Sequence, residues 1–332
     1  MRRGSVTLYD ASPWLWLLLA VAALAVIFLG GEVISGISST VSTYGEGPTV
    51  VIKKSQLEKM AKAQAGEVLV YYPDAAMESV AAQIAEELAR SYAFVKERLG
   101  WELKPVGVVL LGGERPGTVR IEMGLDMEPP FSLWLPSETI AGGLAQAPEE
   151  VLTSIYWVMP HEATEPLFSR RLYANDCGTR WVGDGLAEYA GYIVSGEFSP
   201  AVQQAWLKRR LRSIERLLEQ GKTSYNLPQE FQAFRRVQIL FIRLGCQESP
   251  LPVMVAGYGV SFAVWLDLVD RHGEEVLRKF WPELQKIQKP RNQDVFKLLK
   301  ALTGEDVEAL ITRVELPWAA EVLRRYLAAG GL

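Results

Sequence analysis

Residues 159–192 read MPHEATEPLFSRRLYANDCGTRWVGDGLAEYAGY, and this stretch decides how the rest of the chain is understood. It opens on His161-Glu162-x-x-Glu165. On a helix, residues four apart share a face, so His161 and Glu165 can point at one ion. Glu162 falls beside them, where a carboxylate can hold a water and take its proton. This is the geometry behind H-E-x-x-H zinc sites, with a glutamate replacing the second histidine. Taken alone, H-E-x-x-E also arises in ordinary amphipathic helices. The stretch continues into TRWVGDGLAEYAGY, Thr179–Tyr192, which supplies Asp184 and Glu188 one helical turn apart.

Outward from this stretch the chain changes character near residue 148. Before it, short strand patterns dominate: EVLVYYP (Glu67–Pro73), PVGVVLL (Pro105–Leu111), Thr118–Glu122 and Phe131–Leu135. One helix interrupts them, Ala75–Leu99, with Val80, Ile84, Leu88, Tyr92, Val95 and Leu99 on one side and Gly100 as its terminator. After it, segments 149–175, 181–195, 200–219, 229–244, 260–281, 294–302, 305–313 and 318–329 read as helices. Strands with one helix, then a helical block, predict an α+β fold: a small mixed β-sheet part over 66–147, then a mostly helical lobe over 148–329.

The N-terminus carries a different signal. Trp14–Gly31, WLWLLLAVAALAVIFLGG, is uncharged and apolar on all faces. With its flanks it predicts one transmembrane helix over residues 14–33. Arg2 and Arg3 precede it and the next lysines are Lys53 and Lys54. The positive-inside bias places residues 1–13 in the cytoplasm and the domain outside the cell membrane. The competing reading is a cleaved signal peptide, but no A-x-A-like site follows the run. Residues 34–65, which include ISGISSTVSTYGEG, read as a spacer between bilayer and domain.

Composition narrows the function classes. Of 332 residues, 49% are hydrophobic and 22% charged, so the chain is globular. Its net charge of -4 gives no basic excess, so no nucleic acid partner is expected. Lys208, Arg209, Arg210 and Arg212 cluster, but on a helical pattern they read as a solvated face. No G-x-S-x-G, P-loop or G-x-G-x-x-G is present, and two histidines supply a Ser-His-Asp triad poorly. His272, before Gly273, reads as a solvated residue at a helix C-terminus. Cys177 and Cys246 lack metal-ribbon spacing; a disulfide between them and two separate thiols both remain open.

The two motifs together resemble the gluzincin metallopeptidases of the peptidase MA-like group, in particular domains related to the M1 aminopeptidases. In that family H-E-x-x-H is followed, eighteen residues on, by a ligand glutamate within W-x-x-E-G-x-A-E-Y. Here Trp181, Gly185, Ala187, Glu188 and Tyr189 match that frame, and eighteen residues lie between Glu165 and Asp184, which takes the ligand position. GYGVSFAVWLDLVDRHGEEVLRKFWPEL (Gly257–Leu284) and DVFKLLKALTGEDVEAL (Asp294–Leu310) look like the downstream helices of these domains. The resemblance implies His161, Glu165 and Asp184 as ligands to one divalent metal, Glu162 as general base, and a peptide or protein substrate. It also makes Tyr258 a candidate for stabilising the oxyanion, against a packing role at a helix start. Glu188 is placed to position a ligand or replace Asp184.

The sequence departs from the family in ways that matter. Glu165 in place of an imidazole adds a negative charge, which weakens the Lewis acidity of a bound dication. A harder donor set lets manganese or iron compete with zinc. Pro166 removes the N–H that the Glu162 carbonyl would accept, and Pro160 does the same one turn earlier, so the helix is expected to kink or end early. The alternative is a catalytically inactive peptidase-fold domain that binds or scaffolds at the membrane surface.

Overall fold

The computed structural model describes residues 48–122, 130–172, 177–232 and 251–330. The expected transmembrane helix lies outside the described residues, as do Cys246 and the side chain of Cys177. Among the described residues, no helix is long and apolar enough to cross a membrane.

The fold is α+β, mostly helical with small sheets. Strands β2 (Ala61–Ala65) and β3 (Val68–Tyr72) form an antiparallel hairpin with Ala65 opposite Val68. Its two-residue loop starts at Gly66, whose φ of 56° suits a tight hairpin turn. The chain then crosses through α1 (Glu78–Leu99) to β4 (Val108–Leu111), which runs parallel to β3. With β6 (Phe131–Trp134) at the far edge, the order is β2-β3-β4-β6. The six residues expected on the inner face of α1 are all buried. Full burial of such side chains stabilises the fold by about 1.5–3 kcal/mol each. Gly100 ends α1 in the left-handed region at φ 73°.

A second sheet pairs β1 (Thr49–Lys53) in parallel with β5 (Thr118–Glu122). Both β1 and β2 fall within the segment read as a spacer, residues 34–65, so its C-terminal part is folded. The described residues form two compact units, one within Met1–Met60 and Glu114–Ser132, the other Ala61–Gly113 with Leu133–Leu332. Both units are discontinuous in sequence.

The helical block begins with α2 (Glu149–Thr153), a π-helical turn over Ser154–Val158, and α3 (Met159–Leu172). The wide turn comes immediately before Pro160, which cannot donate to an α-helical ladder. Pro166 lies inside the helix, which continues to Leu172. Next come α4 (Arg180–Phe198) and α5 (Pro200–Glu219). Then follow α6 (Leu251–His272), α7 (Glu275–Lys286), α8 (Asn292–Thr303) and α9 (Leu316–Ala328). The single helix expected over 260–281 is two helices, because Gly273 adopts φ 71° between α6 and α7. His272 sits at that helix end, partly exposed, with Nε2 3.0 Å from Glu305 Oε1.

Candidate metal centre

Helix α4 is the centre of the helical block: every residue from Arg180 to Ser195 is buried. A helix apolar on nearly all faces belongs in a core. Arg180, Asp184 and Glu188 are the charges it carries there, spaced four apart on one stripe. Small residues let its neighbours close in. A Cβ at Gly185 would overlap Ser261 Oγ and Trp265 Cδ1 of α6. Ser261 Oγ donates to the Trp181 carbonyl, and Trp181 stacks on Trp265 with centroids 5.8 Å apart.

Helix α3 supplies the other half. His161, Glu162 and Glu165 each offer a ligand atom, and these atoms lie within 4.8 Å of one another. Backbone support is local: Thr164 Oγ1 donates to the Pro160 carbonyl at 2.7 Å, and the Lys104 amide donates to the Ala163 carbonyl at 3.2 Å. His161 Nδ1 lies 3.3 Å from Glu188 Oε1, which leaves Nε2 as the nitrogen for an ion. A carboxylate behind a histidine in this way fixes its ring and tautomer.

Glu188 is itself anchored. Arg210 of α5 grips both its oxygens, Nε donating to Oε2 at 2.8 Å and Nη2 to Oε1. Trp206 Nε1 donates to Oε2 at 2.8 Å. Burial works to raise the Glu188 pKa, but Arg210 and then His161 hold it far below the ordinary carboxylate range. Arg210 thus corrects the solvated-face reading: it is buried, while Lys208, Arg209 and Arg212 are exposed.

Asp184 is not among the three clustered groups. Its Oδ2 accepts from Arg180 Nε at 2.9 Å, and both side chains are buried. Arg180 Nη2 also donates to the Tyr258 hydroxyl at 2.9 Å. The Tyr258 ring meets His161 edge-to-face at 5.9 Å. Burial, then the charge of Asp184, push its hydroxyl well above its usual pKa.

The electrostatics suit a cation. Burial raises the Glu165 carboxyl to about 7, with Asp184 and Glu162 adding to it. Glu162 is raised by burial too, His161 opposing and Asp184 reinforcing. Burial disfavours the His161 imidazolium, yet the hydrogen bond and charge of Glu188 and the nearby glutamates bring its pKa up to about 9. Buried carboxylates crowded together, beside an imidazole oriented by Glu188, form a donor set that fits one divalent ion, which would displace the His161 proton on binding. The donors that fit are His161 and Glu165, with Glu162 beside them; Asp184 would first have to leave Arg180.

No protein-family model matches the chain, and no curated protein matches it in sequence. Native yeast LTA4 hydrolase is similar in structure. The identity is 12% and the TM-score 0.47, over 78% of this chain. The chain spans 38% of that hydrolase's length. At so distant a likeness, the residues of the site must decide its chemistry.

Arg180, Trp206 and Arg210 are the site residues that motif reading missed. A signal existed for the arginines: Arg180 stands four before Asp184, and Arg210 falls in step with buried Gln203, Leu207, Ile214 and Leu217.

Proposed function

We propose that this domain is a metallopeptidase-like hydrolase, tethered by residues 14–33 to a cell membrane and acting on peptides or proteins outside it. The observation that carries the reading is the cluster of His161, Glu162 and Glu165 within 4.8 Å, with His161 braced by Glu188. His161 and Glu165 would hold the ion, zinc first, with manganese or iron accommodated by the oxygen-rich set. When bound, such an ion supplies Lewis-acid activation of water and of the scissile carbonyl. Glu162 takes a proton on its carboxylate and returns it to the leaving amine, and burial raises its pKa above the ordinary carboxylate value. The Tyr258 hydroxyl, accepting from Arg180, keeps its own proton to donate to a developing oxyanion.

A second reading, a peptidase-fold domain that binds without turnover, is favoured by one observation: Arg180 already occupies Asp184. Elemental analysis of the purified chain separates the two. The hydrolase reading expects about one transition metal per chain, lost in His161→Ala. Glu162→Gln should then keep the metal and lose peptide cleavage by about 100-fold or more. Metal-free protein that still binds peptide would establish the second reading instead.

A further inference from the structure

Asp184 and Glu188 lie one turn apart on α4, and each is held by a buried arginine, Arg180 and Arg210 respectively. The two pairs differ in what they face. Glu188 braces His161 from behind. Asp184 is held by Arg180, whose Nη2 donates to the Tyr258 hydroxyl at 2.9 Å, and the Tyr258 ring meets His161 edge-to-face at 5.9 Å. The Arg180–Asp184 pair therefore stands against the ligand cluster itself. A carboxylate accepting from a guanidinium has a lone pair committed, and the guanidinium repels an incoming dication.

Arg180 cannot resolve that conflict by losing its proton, because a guanidinium stays charged in proteins. It must move. The Tyr258 hydroxyl, already 2.9 Å from Nη2, gives it a second acceptor, and its charge centre lies 6.0 Å from the Tyr258 ring centroid. Release from Asp184 thus leaves the buried cation with a partner.

We propose that Arg180 is a built-in counter-ion that competes with the divalent cation for Asp184. Asp184 joins the ligands only when its bond to Arg180 opens, and Arg180 then rests on Tyr258. The proposal rests on the metal-binding reading above. It makes the metal-free domain a self-balanced state and sets its metal affinity through one ion pair.

Co2+ alone, titrated into the full-length chain in detergent, tests this through affinity against a chelator and through its visible absorption spectrum. Arg180→Gln should bind Co2+ about tenfold tighter than wild type, a factor equivalent to about 1.4 kcal/mol, with a spectrum altered by an added carboxylate. Asp184→Asn in the Arg180→Gln background should cancel both changes. Arg180→Lys, which keeps the charge but not the planar fork, should show a smaller gain and decides the matter if Arg180→Gln does not fold. Unchanged affinity and spectrum in both Arg180 variants, with binding still abolished by His161→Ala, would overturn the counter-ion role and leave the metal-binding reading standing. Absence of Co2+ binding in wild type and in folded Arg180 variants would overturn both.

Discussion

Glu188 shows how much one side chain can carry. It is wholly buried, accepts from Arg210 and Trp206, and faces His161. Removing one partner of a buried, hydrogen-bonded ion pair strands the other charge, a loss of about 3–5 kcal/mol. Glu188→Ala should therefore lower the urea midpoint by that free energy, and Glu188→Ala with Arg210→Met should recover part of it. Equal loss in single and double variants would show that the pair is not the source. At this scale the sequence is legible where spacing alone dictates proximity: residues three and four apart on a helix are neighbours, which brings Glu165 to both Glu162 and His161. It is silent on partners that arrive from other helices. Arg210 looks like one more base in a basic run until its step with Leu207 and Ile214 is noticed; the partner of Asp184, by contrast, stands four residues before it on the same helix.

Between helices, the decisive contact is the approach of α4 to α6. Gly185 has no room for a methyl group, since Ser261 Oγ and Trp265 Cδ1 occupy its place. Helix propensity alone favours alanine over glycine by about 1 kcal/mol. Overpacking a closed core costs about 1–3 kcal/mol. The two effects oppose, and the buried Trp265 ring decides the sign, because it has little space to shift. Gly185→Ala should thus lower Tm, and it should disturb Trp181 stacking, seen as altered near-UV circular dichroism. A raised Tm would mean that α6 yields easily. Strong periodicity made the helices readable, and Pro200–Glu219 has the bounds that its pattern gives. The breaks were less readable. Gly273 splits 260–281 through a left-handed φ that a glycine permits but does not demand, and α3 runs past Pro166 where local rules would stop it. Burial on surrounding helices outweighs one missing hydrogen bond.

At the scale of the molecule, the strands are the harder lesson. β1 and β2 are short and weakly patterned, and β1 pairs with β5 across a long sequence separation. Parallel pairing of that kind leaves no local trace at β1, whereas β2, AKAQA, pairs with its neighbour β3 but has no large apolar side chain to mark it. The tether is the remaining large-scale claim. Residues 14–33 have the length and apolarity of a membrane span, whereas no helix among the described residues does. On the proposed reading residues 14–33 are the anchor, and deleting them should release the domain. The full chain should stay with the membrane pellet after an alkaline carbonate wash, and a fragment beginning at Gly45 should move to the supernatant. The proposed orientation, with the N-terminus inside as the lysine and arginine distribution favours, predicts that protease added to intact cells cuts the full chain within the domain. Full-length chain in the carbonate supernatant would sink the tether, and protection from external protease would reverse the orientation; neither result would touch the cluster on α3.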